Sequence, residues 1–180
     1  FLYLPKMLHA VHHLSKTDAG ARAAGFALLA VVARPLGGWI ADRVGARTVL
    51  VISFIGTCAL ALILAGTYKQ MVPLTIACLT MAVCLGLGTG AVFKLVPQWF
   101  PDQVGAVTGV VGAAGGLGGF FPPLIMAIVK SQTGSYALGF GLMAAVALIS
   151  LIVLVTMEGR AGGSARVAVR APGAGSGSVV

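Results

Sequence analysis

The sequence predicts an all-helical protein that crosses a membrane several times, and three observations carry that prediction. Hydrophobic residues make up 58% of the 180 positions and charged residues only 9%. The mean hydropathy of +1.02 lies outside the range of soluble globular domains. Apolar runs of about 20 residues, the length that spans a ~30 Å hydrocarbon core as a helix, recur between short polar connectors. Hydrocarbon offers no water to backbone N–H and C=O groups, so each run is expected to satisfy them within itself.

Residues 1–8, FLYLPKML, read as the last turns of a helix cut by the start of the chain. The chain opens at Phe1 without an initiator Met and without the charged and short apolar segments of a signal peptide, so it is read as part of something longer. In the connector HAVHHLSKTDAGAR, Thr17 and Asp18 are the expected N-cap residues of the next helix. That helix covers 23–41 and ends at the DRVGAR turn. A second complete span, 48–68, closes at Tyr68, an aromatic of the kind that marks the membrane surface, beside Lys69. The third, 72–99, has Pro73 near its start and Pro97 and Trp99 near its end. After the loop PDQ comes a fourth span, 104–130, very rich in glycine, and then a plain apolar fifth, 136–157, closed by Glu158 and Arg160. Residues 1–160 thus read as one transmembrane unit. The Gly, Ser, Ala and Arg of 161–180 cannot bury a core and predict a disordered cytoplasmic tail.

Short loops make successive helices antiparallel. One side then carries Arg43, Arg47, Arg160, Arg166 and Arg170 with Lys94 close by, and the other carries Lys16, Arg22, Lys69 and Lys130. The positive-inside bias puts the first side and the tail in the cytoplasm. A net charge of +8 would suggest nucleic acid in a soluble domain, but these basic residues sit singly at the ends of apolar runs. The lipid bilayer is the expected partner, and nucleic acid is not. Cys58, Cys78 and Cys84 lie in apolar segments without His or carboxylate at metal-ligand spacing, so no metal site is expected. GLGTGA and GAAGGLGGF superficially look like nucleotide-binding loops, yet neither follows a strand and no Gly-Lys-Ser or Gly-Lys-Thr occurs. His9, His12 and His13 cluster in one connector without a Ser and Asp arrangement around them. Neither an enzyme nor a cofactor is expected.

One residue conflicts with the apolar pattern. Arg34 stands eight residues before Asp42, which is about 12 Å along a helix and close to mid-membrane. A cation there costs at least about 2.5 kcal/mol, so it is expected to face a partner, a water-filled cavity or an anion. Asp18, Asp42, Asp102 and Glu158 all lie at the ends of apolar spans, so none of them is a mid-membrane partner. A guanidinium is a planar fork of donors that cannot shed its charge, and a planar oxyanion is its natural ligand. Pairing with an acid in another part of a longer protein is the alternative.

In the fourth span Gly105, Gly109, Gly112, Gly116 and Gly119 recur at spacings of four, three, four and three, leaving one helix face nearly bare. Gly86 and Gly90 make a shorter patch in the third. Such faces let helices approach backbone to backbone, and they also bring backbone dipoles close to a small substrate.

These residues carry a resemblance. GGWIADRVGAR, with Gly38, Asp42, Arg43, Gly45 and Arg47, resembles the cytoplasmic loop motif of the major facilitator superfamily, as repeated between helices eight and nine. Gly86 to Pro123, including the glycine-rich GAAGGLGGF with Gly112, Gly115, Gly116, Gly118 and Gly119, closely resembles helices ten and eleven of the nitrate/nitrite porters. YLPKML and ARPLGGWIADR look like that family's helix seven end and helix eight. The resemblance implies the C-terminal six-helix bundle of a facilitator fold, truncated to the end of one helix plus five complete ones. It implies a secondary transporter of nitrate or nitrite working by alternating access, with a missing N-terminal six-helix half.

In that family nitrate is held between two arginines, one from each half, and stacked by aromatic side chains. Arg34 looks like the arginine of this half, and Phe93 matches the lining aromatic of helix ten. Thr89 stands where many relatives carry Asn and keeps only a hydroxyl, while Gly115 and Gly116 are expected near the substrate. Lys94 is expected to snorkel to the interface or to attract anions near the cytoplasmic mouth. Asp42, Arg43 and Arg47 are expected to form a charge and cap network. Other readings stay open: a membrane remnant that does not transport, a half that needs a separate first half, or a facilitator for another small solute.

Overall fold

The computed structural model describes residues 4–133 and 136–169. They form six α-helices, α1 (Leu4–His12), α2 (Lys16–Val44), α3 (Ala46–Thr67), α4 (Met71–Trp99), α5 (Val104–Thr133) and α6 (Ala137–Val169), and no strand occurs among them. Five stretches, in α2 to α4, Pro101–Phe121 and α6, are long and apolar enough to cross a membrane. Short connections make neighbours antiparallel, so the bundle has two ends. The α2–α3 turn at Gly45 lies at one, and the α3–α4 turn at Tyr68 lies at the other.

Several boundaries differ from the sequence expectation. α1 runs four residues past Leu8, and α2 starts at Lys16. The N-cap of α2 is Ser15, not Thr17 or Asp18: its hydroxyl oxygen accepts from the Asp18 N–H at 3.1 Å and its hydroxyl donates to the Asp18 carboxylate at 2.6 Å. Asp18 thus sits at the third helical position, where its carboxylate accepts from the capping hydroxyl. A helix of 29 residues is about 44 Å long at 1.5 Å per residue and outruns a ~30 Å core, which lets Lys16 and Arg43 stay helical outside it. α6 continues to Val169, so 161–169 is helical where a disordered tail was expected. Its Ala and Arg residues favour helix, and no proline interrupts it before Pro172. Residues 170–180 of that expected tail, and 1–3 of the first span, lie outside the described residues.

Gly45 serves as C-cap of α2 and N-cap of α3 at once. Its φ of +89° and ψ of 133° belong to a region essentially restricted to glycine, and its N–H donates to the Ala41 carbonyl at 3.0 Å. At the opposite end the chain turns are tied together: His12 Nε2 donates to the Tyr68 carbonyl at 3.1 Å, and the Tyr68 and Tyr136 rings meet edge-on at 6.0 Å. A buried cluster lies beneath, with Met7 and Leu8 of α1, Phe26 of α2, Leu64 of α3, Leu74 and Met81 of α4 and Phe140 of α6. A smaller cluster under the Gly45 turn holds Ala41, Ala46, Val49, Leu50 and Ala91.

α2 packs most extensively on α4, α3 packs on α4 and α6, and α5 has only slight contact with α6 and the end of α4. Between helices in lipid, burial of apolar surface gives little drive, and close contact of small residues takes over. The α2–α4 crossing is built that way. A Cβ at Gly86 would lie 2.5 Å from the Ala33 Cβ and overlap the Ala30 carbonyl, one at Gly90 would lie 2.8 Å from the Gly38 N and overlap the Arg34 carbonyl, and one at Gly37 would overlap Leu87 backbone. The α3–α4 seam repeats the device more gently, with Gly88 opposite the buried Ser53. The seven glycines of α5 are different: a Cβ at Gly105, Gly109, Gly112, Gly115, Gly116, Gly118 or Gly119 meets nothing within 4 Å.

Substituting Gly90→Ala is therefore expected to force α2 and α4 apart and to lower stability by about 1–3 kcal/mol, the usual range for overpacking. Gly66→Ala, where a Cβ meets open space, is the control and should be neutral within about 0.5 kcal/mol. Thermal unfolding in detergent measures both; equal effects would show that the crossing tolerates a methyl group.

Candidate functional site

α2 contributes Arg34 and α4 contributes Thr89 and Phe93. The helix of Arg34 stays unbroken through Pro35, whose ring nitrogen has no hydrogen to donate, so the Val31 carbonyl one turn earlier loses its helical partner. The Arg34 carbonyl rests against Gly90. This contact sets the axial level of the arginine on α4: Thr89 is the neighbouring residue, and Phe93 lies three residues on, about 4.5 Å along the axis. Arg34 is exposed in this chain, and Phe93 is 43% exposed. Among the described residues the Arg34 guanidinium has no hydrogen-bond or ion-pair partner. The cation is thus presented on the α2–α4 pair, with a partly exposed aromatic ring less than one helical turn along α4 from the Gly90 contact.

The hydroxyl that Thr89 keeps is engaged within its own helix. It donates to the Leu85 carbonyl at 2.7 Å, as Thr75 and Thr80 donate to the carbonyls four residues before them at 2.8 and 2.9 Å. A hydroxyl has one hydrogen, so Thr89 as placed offers an anion no donor. Back-bonding of this kind satisfies a polar group without a neighbour helix. Gly115 and Gly116 are not brought to Arg34 either. They lie on α5, which packs against α6 and the end of α4.

The loop motif resolves into two separate contacts. Asp42 is paired across the helix interface with Lys94, Oδ2 to Nζ at 2.8 Å, so the Lys94 ammonium is drawn toward the Gly45 end and does not stand free for an anion. Arg43 stacks on Trp39 of its own helix, its guanidinium carbon 3.9 Å from the ring centroid. Gly38 lies under the Lys94 stem, with its Cβ position 3.7 Å from Lys94 Cε. Arg47 is in the first turn of α3, beyond the capping Gly45. Sequence reading missed the Asp42–Lys94 pair because 52 residues separate its members. The available signal was an acid at the end of one span and a lysine near the same end of another.

No group of three or more His, Cys, Asp or Glu residues that could hold a metal occurs among the described residues. What the arrangement offers is a guanidinium, an aromatic face and glycine-thinned helices.

The family model described as Major Facilitator Superfamily matches residues 1–174. The chain is 44% identical to the "Nitrite extrusion protein" of Bacillus subtilis over 157 residues, which is 87% of this chain and 39% of that protein. It is 47% identical over 150 residues to the "Probable nitrate/nitrite transporter NarK2" of Mycobacterium tuberculosis, 82% of this chain and 38% of that one. It is 44% identical over 156 residues to the "Probable nitrate transporter NarT" of Staphylococcus carnosus, 87% of this chain and 39% of that protein. The chain therefore spans about two-fifths of the length of these relatives. No solved structure matches it. With a family model covering nearly its whole length and five helices able to cross a membrane, the chain is a multi-pass membrane protein that belongs to the Major Facilitator Superfamily.

Proposed function

We propose that this chain supplies the second bundle of a secondary transporter that carries nitrate or nitrite across the membrane by alternating access, and that Arg34 is its anion-binding residue. The observation that carries the reading is the unpaired guanidinium in the middle of a membrane-crossing helix. An intramembrane cation of this kind marks a transport path by default, and a permanent charge with planar donors selects a flat oxyanion. The names of the relatives support the same substrate. The function is transport and not catalysis.

Phe93 stacks on the anion beside Arg34. Gly115, Gly116 and the rest of the bare α5 face look toward a first bundle that supplies the other half of the site. The Gly45 end, with its Arg43 and Arg47, lies in the cytoplasm, and the two bundles rock about the midplane. Among the described residues Asp18, Asp42 and Asp102 sit at helix ends and Glu158 lies just past the apolar stretch Ala137–Met157 of α6, so a proton relay through a mid-membrane carboxylate of this bundle is not part of the proposal.

The first test is nitrate uptake in cells that lack their own porters, comparing the 180-residue chain with the protein expressed from its complete gene. Uptake by the complete protein and none by the chain alone is expected. Absence of uptake from both, with both inserted in the membrane, would remove the substrate assignment.

Arg34→Lys keeps a positive charge and loses the planar fork. It is expected to cut nitrate uptake by at least about tenfold, the loss of roughly 1.4 kcal/mol of binding, with membrane levels unchanged. Uptake at the original rate would show that charge alone suffices. Thr89→Val removes a hydroxyl already bonded to Leu85. The KM for nitrate should stay within about threefold of the original, since the site loses no donor. A larger rise would place the Thr89 hydroxyl on the anion during transport.

A further inference from the structure

Lys94 of α4 and Asp42 of α2 form an ion pair across the two helices, and the function proposed above makes no use of it. Their side chains are 43% and 51% exposed. A pair so open to solvent contributes about 0–1 kcal/mol to stability, so holding the fold together is not its main consequence.

Its placement is more telling. The lysine directly follows Phe93 and lies one helical turn beyond Gly90, the residue that touches the Arg34 carbonyl. Its stem crosses α2 at Gly38, one turn beyond Arg34, with Cε and Cγ at 3.7 and 3.9 Å from the position of a Gly38 Cβ. Its ammonium then ends on Asp42, one further turn along α2. Gly90 and Lys94 are thus two points of α4 pinned to α2, four residues apart. One point fixes how far apart the helices are. The second fixes how far α4 is rotated about its own axis.

That rotation matters because Phe93 points about 100° round the helix from Lys94, at 3.6 residues per turn. Turning α4 swings the ring toward or away from Arg34.

Resting on the reading of Arg34 and Phe93 as the anion site, we propose that Lys94, Gly38 and Asp42 form a clasp that sets the rotation of α4 on α2, and with it the angle at which Phe93 meets the bound anion. The pair lies within one bundle, so it stays closed as the bundles rock. Lys94 and Asp42 are positioning residues and do not touch the substrate.

The test uses the protein expressed from its complete gene. Lys94→Met keeps the stem and removes the charge, Asp42→Asn removes the other charge, and Lys94→Arg keeps the pair. Lys94→Met and Asp42→Asn are expected to raise the KM for nitrate about fivefold with maximal rate and membrane level within about twofold, and their combination should be no worse than either alone. Lys94→Arg should keep the original KM.

A second readout is independent of nitrate: the distance between spin labels at Leu36 and Leu85, exposed positions on α2 and α4, with Cys58, Cys78 and Cys84 replaced by serine. The distribution should broaden in Lys94→Met and stay narrow in Lys94→Arg. A KM change with unaltered distances would mean that the ammonium acts on the anion itself, and would overturn the clasp. Altered distances with an unchanged KM, or additive effects in the double variant, would overturn it as well. If the unaltered protein carries no nitrate, the functional reading fails, and unaltered distances in Lys94→Met would then sink the clasp separately.

Discussion

Everything in this bundle that bears on function depends on two helix backbones touching. α2 and α4 meet where Gly37, Gly86 and Gly90 leave no side chain between them, and the Arg34 carbonyl rests directly on α4. In water such a contact would add to a hydrophobic core. In lipid, where tails are as apolar as leucine, dispersion between closely matched backbones is the main attraction available, and each methyl group inserted would remove it. The same contact fixes where a costly charge sits. A guanidinium at mid-membrane is tolerable only with water, an anion or an acid to face, and the crossing presents Arg34 uncovered, beside an exposed Phe93.

The two ends of the bundle are held by different means. At the Tyr68 end, a histidine bond to a helix-terminal carbonyl, an aromatic pair and a cluster of large side chains tie α1, α3 and α6 together. At the Gly45 end the buried cluster is smaller, Ala41, Ala46 and Ala91 with Val49 and Leu50, and the Asp42–Lys94 pair joins α2 to α4 nearby. Glycine-lined contacts allow sliding more readily than interlocked large side chains do. The glycines of α5, where an added Cβ would meet nothing within 4 Å among the described residues, extend the same principle outward.

The fold class was legible because hydrocarbon thickness imposes it: four spans expected near 23–41, 48–68, 72–99 and 104–130 correspond to α2, α3, α4 and α5. The ends were less legible. Helices continue past the hydrocarbon for reasons of capping and propensity, so Ser15, not Thr17 or Asp18, starts α2, and α6 runs through Val169. Arg34 stood out at once, since a lone cation in an apolar run conflicts with its surroundings. Phe93 entered through family resemblance, because one more aromatic in a membrane helix carries no local signal. Thr89 was not legible for a physical reason: a hydroxyl on a helix can turn back to its own helix, and only coordinates reveal that the Leu85 carbonyl takes its hydrogen. The glycines of the third and fourth spans looked alike as letters, yet Gly86 and Gly90 are filled by a neighbour while Gly112 and Gly116 are open. Spacing reports a bare face and does not report what covers it.

An experimental structure of the protein from its complete gene, determined with nitrate present, would weigh most on the role given to Arg34. Anion density within hydrogen-bond distance of the Arg34 guanidinium and against the Phe93 ring, with α2 still seated on Gly90, is the expected result. An Arg34 engaged by a carboxylate of the other bundle, with the anion bound elsewhere, would contradict it.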